Sequence, residues 1–170
     1  MMREPSPPRP STVSGRASLT EAQFAELYPG LRRFAGAIGA PVVDADDLVQ
    51  EACVRYMRRT GTEPVTDVGA YLRRTMLNLE LTRRTTEQRR ERVHARLVGP
   101  ESTEPSYPSD LADLMALDPI DRALLYLTAV ERWRFAEAAE LLERPEAALR
   151  MRATRARRAL PGDMEARNDG

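Results

Sequence analysis

Arginine is the residue type with the clearest chemical potential in this sequence, and it is concentrated in two segments. Residues 83–98 contain six arginines and two glutamates, a net charge of +4, and residues 149–160 contain five arginines and no acid. A guanidinium group presents its donors in a planar fork that matches phosphate oxygens. The two segments therefore predict two surfaces for binding phosphate groups, although the 26 basic and 26 acidic residues of the chain cancel.

Other kinds of chemistry lack the residues that they need. The single cysteine, Cys53, and the single histidine, His94, cannot build a zinc site or an internal disulfide. No glycine-rich phosphate loop and no nucleophile–base set is visible, so we expect neither an enzyme nor any metal, cofactor or small-molecule substrate. No apolar run approaches the roughly 18 residues that cross a bilayer, and residues 1–18 lack the apolar core of a secretory signal. We therefore expect a cytoplasmic protein without membrane insertion.

The hydrophobic pattern predicts an all-α fold of two small helical domains joined by a flexible linker. Apolar residues recur at spacings of three and four through residues 24–38, 48–57 and 68–79, and no alternating strand pattern appears. The predicted divisions are a disordered N-terminal segment at 1–18, a first domain at 19–98, a linker at 99–109, a second domain at 110–160 and a polar tail at 161–170. Residues 99–121 contain six acids and no base, so the linker and the start of the second domain are strongly acidic.

Capping signals predict where several helices begin. Thr20 and Gln23 have the spacing of a capping box, and Asp44 suits the N-cap of a second helix. Asp118 followed by proline suits the start of a helix in the second domain. The buried face predicted for the second helix consists of Leu48, Val49, Ala52, Cys53, Tyr56 and Met57.

Residues 135–160 have the pattern of a helix-turn-helix. Ala139 is the small residue expected where the two helices touch, and Leu149 is the apolar residue that holds the second helix inward. At the turn, where glycine is common because the backbone is left-handed, the chain has Glu143. The second helix is rich in arginine and suits the DNA major groove. Its outward and flanking residues are Glu146, Ala147, Arg150, Met151, Arg152, Thr154, Arg155, Arg157 and Arg158.

Four segments resemble, in order and spacing, the bacterial RNA polymerase sigma factors of the sigma-70 family, in particular the extracytoplasmic function (ECF) group with regions 2 and 4 only. These segments are LYPGLRRFAGAIG at 27–39, DADDLVQEACVRYMRR at 44–59, AYLRRTMLNLELTRR at 70–84 and RFAEAAELLERPEAALRMRATRARRAL at 134–160. The resemblance implies a factor that binds core RNA polymerase and directs promoter-specific initiation. Region 2 is expected to recognise the −10 promoter element, and region 4 the −35 element.

The resemblance also implies roles for individual residues. The segment that docks on the clamp helices of the polymerase β′ subunit corresponds to Asp46, Asp47, Leu48, Gln50 and Glu51. The segment that recognises and melts the −10 element corresponds to Tyr71, Arg73, Arg74, Asn78, Arg83 and Arg84. Tyr71 also lies on the apolar stripe of its helix, so core packing is its first expected role. The implied partners are core polymerase (the β′ clamp helices and the β subunit), promoter DNA, and an anti-sigma factor that occludes regions 2 and 4.

Region 4 departs from the family pattern at the start and end of the first helix of its helix-turn-helix. Arg134 stands where serine or threonine commonly caps this helix, Arg132 stands near a common glycine, and Glu143 occupies the turn. We expect these departures to give a −35 contact that is weak or unusual in its sequence preference. Two alternatives stay open: a stand-alone helix-turn-helix regulator, which leaves the acidic segment at 44–51 unexplained, and a degenerate sigma-like interaction module.

Overall fold

The computed structural model describes residues 19–40, 43–59, 65–98 and 109–160. Within these ranges the helices are α1 (Glu21–Ile38), α2 (Ala45–Arg58), α3 (Val68–Val98), α4 (Ser109–Ala116), α5 (Pro119–Leu125), α6 (Phe135–Leu142) and α7 (Glu146–Ala159). A π-helical turn, Tyr126–Val130, continues α5. The predicted all-α fold is confirmed. The segments predicted as a disordered N-terminus and a polar tail, and nearly all of the predicted linker, lie outside the described residues.

The helices begin where the capping signals place them. The Thr20 hydroxyl accepts a hydrogen bond from the N–H of Gln23 at 3.3 Å, and the Gln23 side chain accepts one from the N–H of Thr20 at 3.0 Å. The carboxylates of Asp44 and Asp118 each accept from the backbone N–H two residues further on, at 2.8 and 2.9 Å. These bonds satisfy N–H groups that have no partner inside a helix.

Helices α1, α2 and α3 pack around an apolar core. The largest side chains that they bury completely are Phe34, Leu31, Ile38, Leu48, Leu72 and Met76. Met57, which was predicted to face inward, is 68% exposed. The preceding residue, Tyr56, takes the inward position, and neighbouring residues on a helix point about 100° apart. The prediction for Met57 is therefore wrong.

Helices α4 to α7 form a second unit that packs directly on the first. Helix α5 contacts both α1 and α3, and α6 contacts α3, so the buried side chains of both units form one continuous cluster. Phe34 of α1 meets Tyr126 of the π-helical turn edge to face, with ring centroids 5.9 Å apart. The described part of the chain is thus a closed arrangement in which the two units share a core.

A buried arginine joins the two units. The guanidinium of Arg122 in α5 donates to the backbone carbonyl of Ile38 at the end of α1, and also to the carbonyls of Met115 and Leu117 at 3.2 and 2.9 Å. Burial lowers the pKa of Arg122, while the nearby carboxylate of Glu80 acts in the opposite direction. Glu80 is itself 3% exposed, and its carboxylate accepts a hydrogen bond from the N–H of Ala40 at 3.2 Å, so a buried carboxylate lies near this guanidinium at the junction between the units.

Candidate nucleic-acid interface

The first acidic residue proposed for polymerase docking is tied to the neighbouring helix. The carboxylate of Asp46 accepts a hydrogen bond from the Tyr28 phenol at 2.6 Å and another from Nε of Arg32 at 3.0 Å. The hydrogen bond from Tyr28 is the main cause that lowers the pKa of Asp46, and the same bond raises the pKa of Tyr28. Asp46 therefore fixes the start of α2 against α1.

The next acidic residues of α2 lie at the surface. Asp47 and Gln50 are exposed, and Glu51 is half-buried beside Arg55, whose Nε donates to its carboxylate at 2.9 Å. Exposed ion pairs one helical turn apart contribute only about 0.3–0.5 kcal/mol, so this pair opens readily to a partner. Leu48 is fully buried, and the expectation that it contacts polymerase is corrected: it points into the core and holds α2 in place.

Tyr71 lies at the start of the segment assigned to the −10 element, and it packs against its own domain. Its ring meets that of Tyr56 edge to face at 5.5 Å, and the guanidinium of Arg59 lies 5.9 Å from the Tyr71 ring centroid. The side chain is half-buried. Packing, which was its first expected role, is therefore the role that the structure shows.

Arg73 of α3 is held against the second unit. Its Nη2 lies 2.9 Å from the carboxylate of Glu131, and the two side chains are only 10% and 15% exposed. The guanidinium also lies over the rings of Phe34 and Trp133, 5.9 and 5.7 Å from their centroids. Arg73 was expected to contact DNA phosphates, and in this arrangement it is not accessible to them.

Arg74 binds the end of α6. Its Nε and Nη2 donate to the backbone carbonyls of Leu141 and Glu140 at 3.1 and 2.6 Å. Its Nη1 lies 2.9 Å from the carboxylate of Glu143. The last carbonyls of a helix carry partial negative charge, so the end of α6 and the Glu143 carboxylate together form a negatively charged site that binds this guanidinium. Arg73 and Arg74 are therefore both occupied by groups of the second unit.

The other residues of the −10 set differ in their exposure. Asn78 and Arg83 are exposed on α3. Arg84 is half-buried and donates to the carbonyl of Leu117, the same carbonyl that accepts from Arg122. Only part of this set is therefore available to DNA in the closed arrangement.

The second helix of the helix-turn-helix, α7, has the predicted inner face. Leu149, Ala153 and Ala156 are buried. The outward residues of the −35 set that are exposed are Ala147, Arg150, Met151, Thr154, Arg155, Arg157 and Arg158. Glu146 pairs with Arg150 one turn later. On α6 the completely buried small residue is Ala138, and Ala139 is half-buried.

Arg152 differs from the rest of the −35 set. Its Nε lies 2.7 Å from the Asp121 carboxylate, and its Nη2 lies 3.7 Å from that of Asp118. Because this side of α7 faces α5, Arg152 joins two helices within the second unit. Arg152 is 33% exposed, so its role in packing is shown, and a DNA contact by it stays a prediction.

Two residues other than glycine adopt positive φ in the described ranges, and both flank α6. Arg132 has φ 60° and Glu143 has φ 52°, at or near the positions where the family pattern favours glycine. This left-handed conformation costs a side-chain-bearing residue about 1 kcal/mol relative to glycine. Arg134, at the N-cap of α6, contributes no side-chain cap, but its N–H donates to the Glu137 carboxylate at 2.9 Å. Glu143 also contacts Arg74, so only Arg132 isolates the backbone effect.

Replacing Arg132 by glycine is expected to raise the free energy of unfolding by about 1 kcal/mol, because the left-handed backbone is then unstrained. Urea unfolding of the wild type and the variant measures this difference. The control is Arg134→Gly, since Arg134 has φ −72° and glycine there only adds freedom to the unfolded chain. An Arg132→Gly protein no more stable than the wild type would contradict the assignment of strain at this position.

The described ranges hold neither a membrane-crossing helix nor a metal-binding cluster of side chains. None of their helices combines the length and the apolar character needed to cross a membrane. The same residues contain no group of three histidine, cysteine, aspartate or glutamate side chains placed to hold a metal ion.

Sequence reasoning did not identify the groups that engage Arg73, Arg74 and Arg122. Glu131 lies 58 positions from Arg73, and Arg122 lies 84 positions from Ile38. No local pattern encodes such pairings. The one available signal was an acid, Glu143, at a turn that favours glycine.

The comparisons with known proteins agree with this architecture. Residues 24–90 match the family model for sigma-70 region 2, and residues 114–160 match the model for sigma-70 region 4. No curated protein sequence matches the chain. The structure of the sigma factor RpoE from Bartonella quintana, solved in complex with the anti-sigma factor NepR, is similar, with a TM-score of 0.66 at 18% identity. The match covers 87% of this chain and 98% of that one. The two family models together span most of the chain, so it belongs to the sigma-70 family, as an ECF-type sigma factor that acts in transcription initiation.

Proposed function

We propose that α2 docks on the β′ clamp helices of core polymerase through Asp47, Gln50 and Glu51. These three residues lie together on the side of the helix that is turned away from the centre of its buried face at Val49, Ala52 and Tyr56. Asp46 acts as a positioning residue, because its carboxylate is already bonded to Tyr28 and Arg32 of α1. The observation that carries the proposal is an exposed acidic face on a helix fixed at its first turn.

The DNA contacts in this proposal come from α3 and α7. Region 2 contacts the −10 element through the residues Arg73, Arg74, Asn78 and Arg83. Region 4 contacts the −35 element through the exposed outward residues of α7 named above and docks beside the β subunit. The protein acts in the cytoplasm by binding and positioning, with no catalytic role.

The proposal includes regulation by closure. The groups that engage Arg73 and Arg74 belong to the second unit, and Arg73 is only 10% exposed, so a −10 strand can reach Arg73 only after the units separate. Arg74 is 41% exposed, and separation frees the part of its guanidinium that α6 and Glu143 now hold. The closed arrangement is therefore the inactive form, and polymerase binds an open form. An anti-sigma factor that binds both units at once would stabilise closure, because a ligand shifts an equilibrium toward the state that it binds more tightly.

The test of the docking face is the affinity of the protein for purified core RNA polymerase. The variant Asp47→Arg/Glu51→Arg is expected to bind at least about a hundredfold more weakly, which corresponds to about 3 kcal/mol and is within the range for reversing interfacial charges. Both residues are at the surface, so the helix content should not change. Circular dichroism checks this point.

The matched control is Glu21→Arg/Glu26→Arg, which makes the same charge change at exposed positions of α1. This control should bind polymerase as the wild type does. Equal weakening of both variants would assign the effect to net charge and contradict the docking face. A wild type that binds duplex DNA but not polymerase would support the stand-alone regulator instead.

A further inference from the structure

Helix α3 continues well past the part that packs in the core. It spans 31 residues, Val68–Val98, yet residues 85–97 are all exposed. At a rise of 1.5 Å per residue, this extension projects roughly 20 Å. The region 2 match ends at residue 90 and the region 4 match begins at residue 114, so much of the extension lies between the two family regions.

The charges on this extension are sorted by helix face. Arg89, Arg92 and Arg96 are spaced three and four residues apart, which places them on one side of the helix. Glu87 and Glu91, four residues apart, lie on the opposite side, because each successive residue advances about 100° around the axis. The segment therefore presents a positive face and a separate negative face, which its modest net charge conceals.

The arginines of the positive face are unengaged. Within the part of the chain that the structure describes, no hydrogen bond or ion pair involves Arg89, Arg92 or Arg96. By contrast, five arginines that are buried or half-buried are bonded to carboxylates or carbonyls of the protein. They are Arg73, Arg74, Arg84, Arg122 and Arg152. Exposed arginines at three consecutive turns, with the acids turned away, complement a row of phosphates.

We infer that this positive face binds the phosphate backbone of the duplex DNA between the −10 and −35 elements. The inference rests on the proposed function and extends it to a third DNA contact. Its second basis is the order of segments along the chain. The extension directly follows the −10 segment of α3 and precedes the unit that carries α7. The spacer DNA has the corresponding position between the −10 and −35 elements. The contact is with phosphates, so it strengthens binding without reading sequence.

The test uses holoenzyme and a duplex that carries a promoter at which the wild-type holoenzyme starts transcription. Each phosphate contact contributes about 0.9 to the slope of log affinity against log salt. The variant Arg89→Ala/Arg92→Ala/Arg96→Ala removes three such contacts and is expected to lower the magnitude of this slope by about 2.7. When salt rises from about 50 to 200 mM, the factor by which DNA affinity falls should therefore be about 40-fold smaller than for the wild type. The variant Arg89→Lys/Arg92→Lys/Arg96→Lys should retain the slope, because lysine also binds phosphate.

A second duplex, with uncharged methylphosphonate linkages in the spacer, locates the contact. On this duplex the slope for the wild type should fall by the same amount as the alanine substitutions lower it on the ordinary duplex. The triple alanine variant should show no further decrease in slope, because both changes remove the same contact. The matched control is Val93→Ala/Leu97→Ala, two exposed apolar residues of the same extension, which should keep the wild-type slope.

Three outcomes would overturn the inference. The first is a triple alanine variant whose slope of log DNA affinity against log salt equals that of the wild type. The second is a variant and an uncharged spacer whose reductions in slope add up. The third is a variant that binds core polymerase more weakly while its DNA slope is unchanged. The last outcome would assign the arginines to a protein contact. Failure of the wild type itself to bind polymerase or promoter would instead refute the proposed function, so the two failures are distinguishable.

Discussion

Reversing the two acids that hold Arg73 and Arg74, in the variant Glu131→Arg/Glu143→Arg, is expected to open the free protein. Glu131 faces Arg73 at a contact where both side chains are nearly buried, so a second arginine there places like charges in a poorly screened site. Glu143 faces Arg74 beside the carbonyl end of α6. Breaking a buried pair costs about 3–5 kcal/mol, which shifts the equilibrium toward separated units against the shared apolar core that holds them together.

The opened variant should bind single-stranded −10 DNA at least about tenfold more tightly than the wild type, because the competent form is no longer a minor population. Its radius of gyration should also increase, as measured by small-angle scattering. Charge alone raises DNA affinity, so the control is Glu21→Arg/Glu26→Arg, which carries the same added charge on α1. This control should remain compact.

A charge swap provides the decisive comparison. Adding Arg73→Glu to the single variant Glu131→Arg should restore a compact form, since this pair regains opposite charges with reversed signs. Arg74 is kept in this comparison because it donates to the carbonyls of Glu140 and Leu141, which a glutamate would repel. A protein that stays compact after Glu131→Arg/Glu143→Arg, with the DNA affinity of its control, would contradict closure through these pairs.

Replacing Arg122 by methionine is expected to lower the free energy of unfolding by about 3–5 kcal/mol. The substitution leaves the carbonyls of Ile38, Met115 and Leu117 without this donor and leaves Glu80 buried without its neighbouring positive charge. Urea unfolding followed by circular dichroism measures the loss. Methionine has a similar length, so the change removes hydrogen bonds and charge more than volume.

Two further variants test the cause of this loss. Glu80→Gln/Arg122→Met should be more stable than Arg122→Met, because the buried unpaired charge is gone. Arg150→Met, at an exposed position of α7, should change stability by less than about 0.5 kcal/mol. Equal losses for Arg122→Met and Arg150→Met would show that the buried bridge contributes nothing to stability.

Much of the fold was predictable because its signals are short-range. The capping pair Thr20 and Gln23 and the N-cap Asp118 mark helix starts with residues two or three positions from the N–H groups that they bind. The exposed acidic face at Asp47 and Glu51 was also placed on the correct helix. Leu48 was correctly placed on the buried face, and only the docking role implied by the family resemblance conflicts with its burial. Met57 was placed wrongly, since a helical pattern does not show which edge of an apolar stripe a neighbouring helix covers.

The relation between the two units could not be predicted, because it depends on pairs far apart in the chain. The partners of Arg73 and Arg74 lie 58 to 69 positions away. Hydrogen bonds to the backbone carbonyls of Glu140 and Leu141 do not depend on side-chain type, so the sequence does not indicate them. Glu143 is the exception. A glutamate at a turn that favours glycine is strained by its positive φ, and its contact with Arg74 offsets part of that cost.

The π-helical turn at Tyr126–Val130 accommodates one residue more than an α-helical turn, and the N–H of Glu131 bonds to the carbonyl of Tyr126, five positions back, at 3.1 Å. A π-turn absorbs its extra residue locally, so deleting one residue here would let the turn close as ordinary α-helix with α6 and α7 kept in register. Chain length is therefore free to change by one residue just before the contact between Arg73 and Glu131, and a relative with this deletion is expected to keep the same arrangement of its second unit.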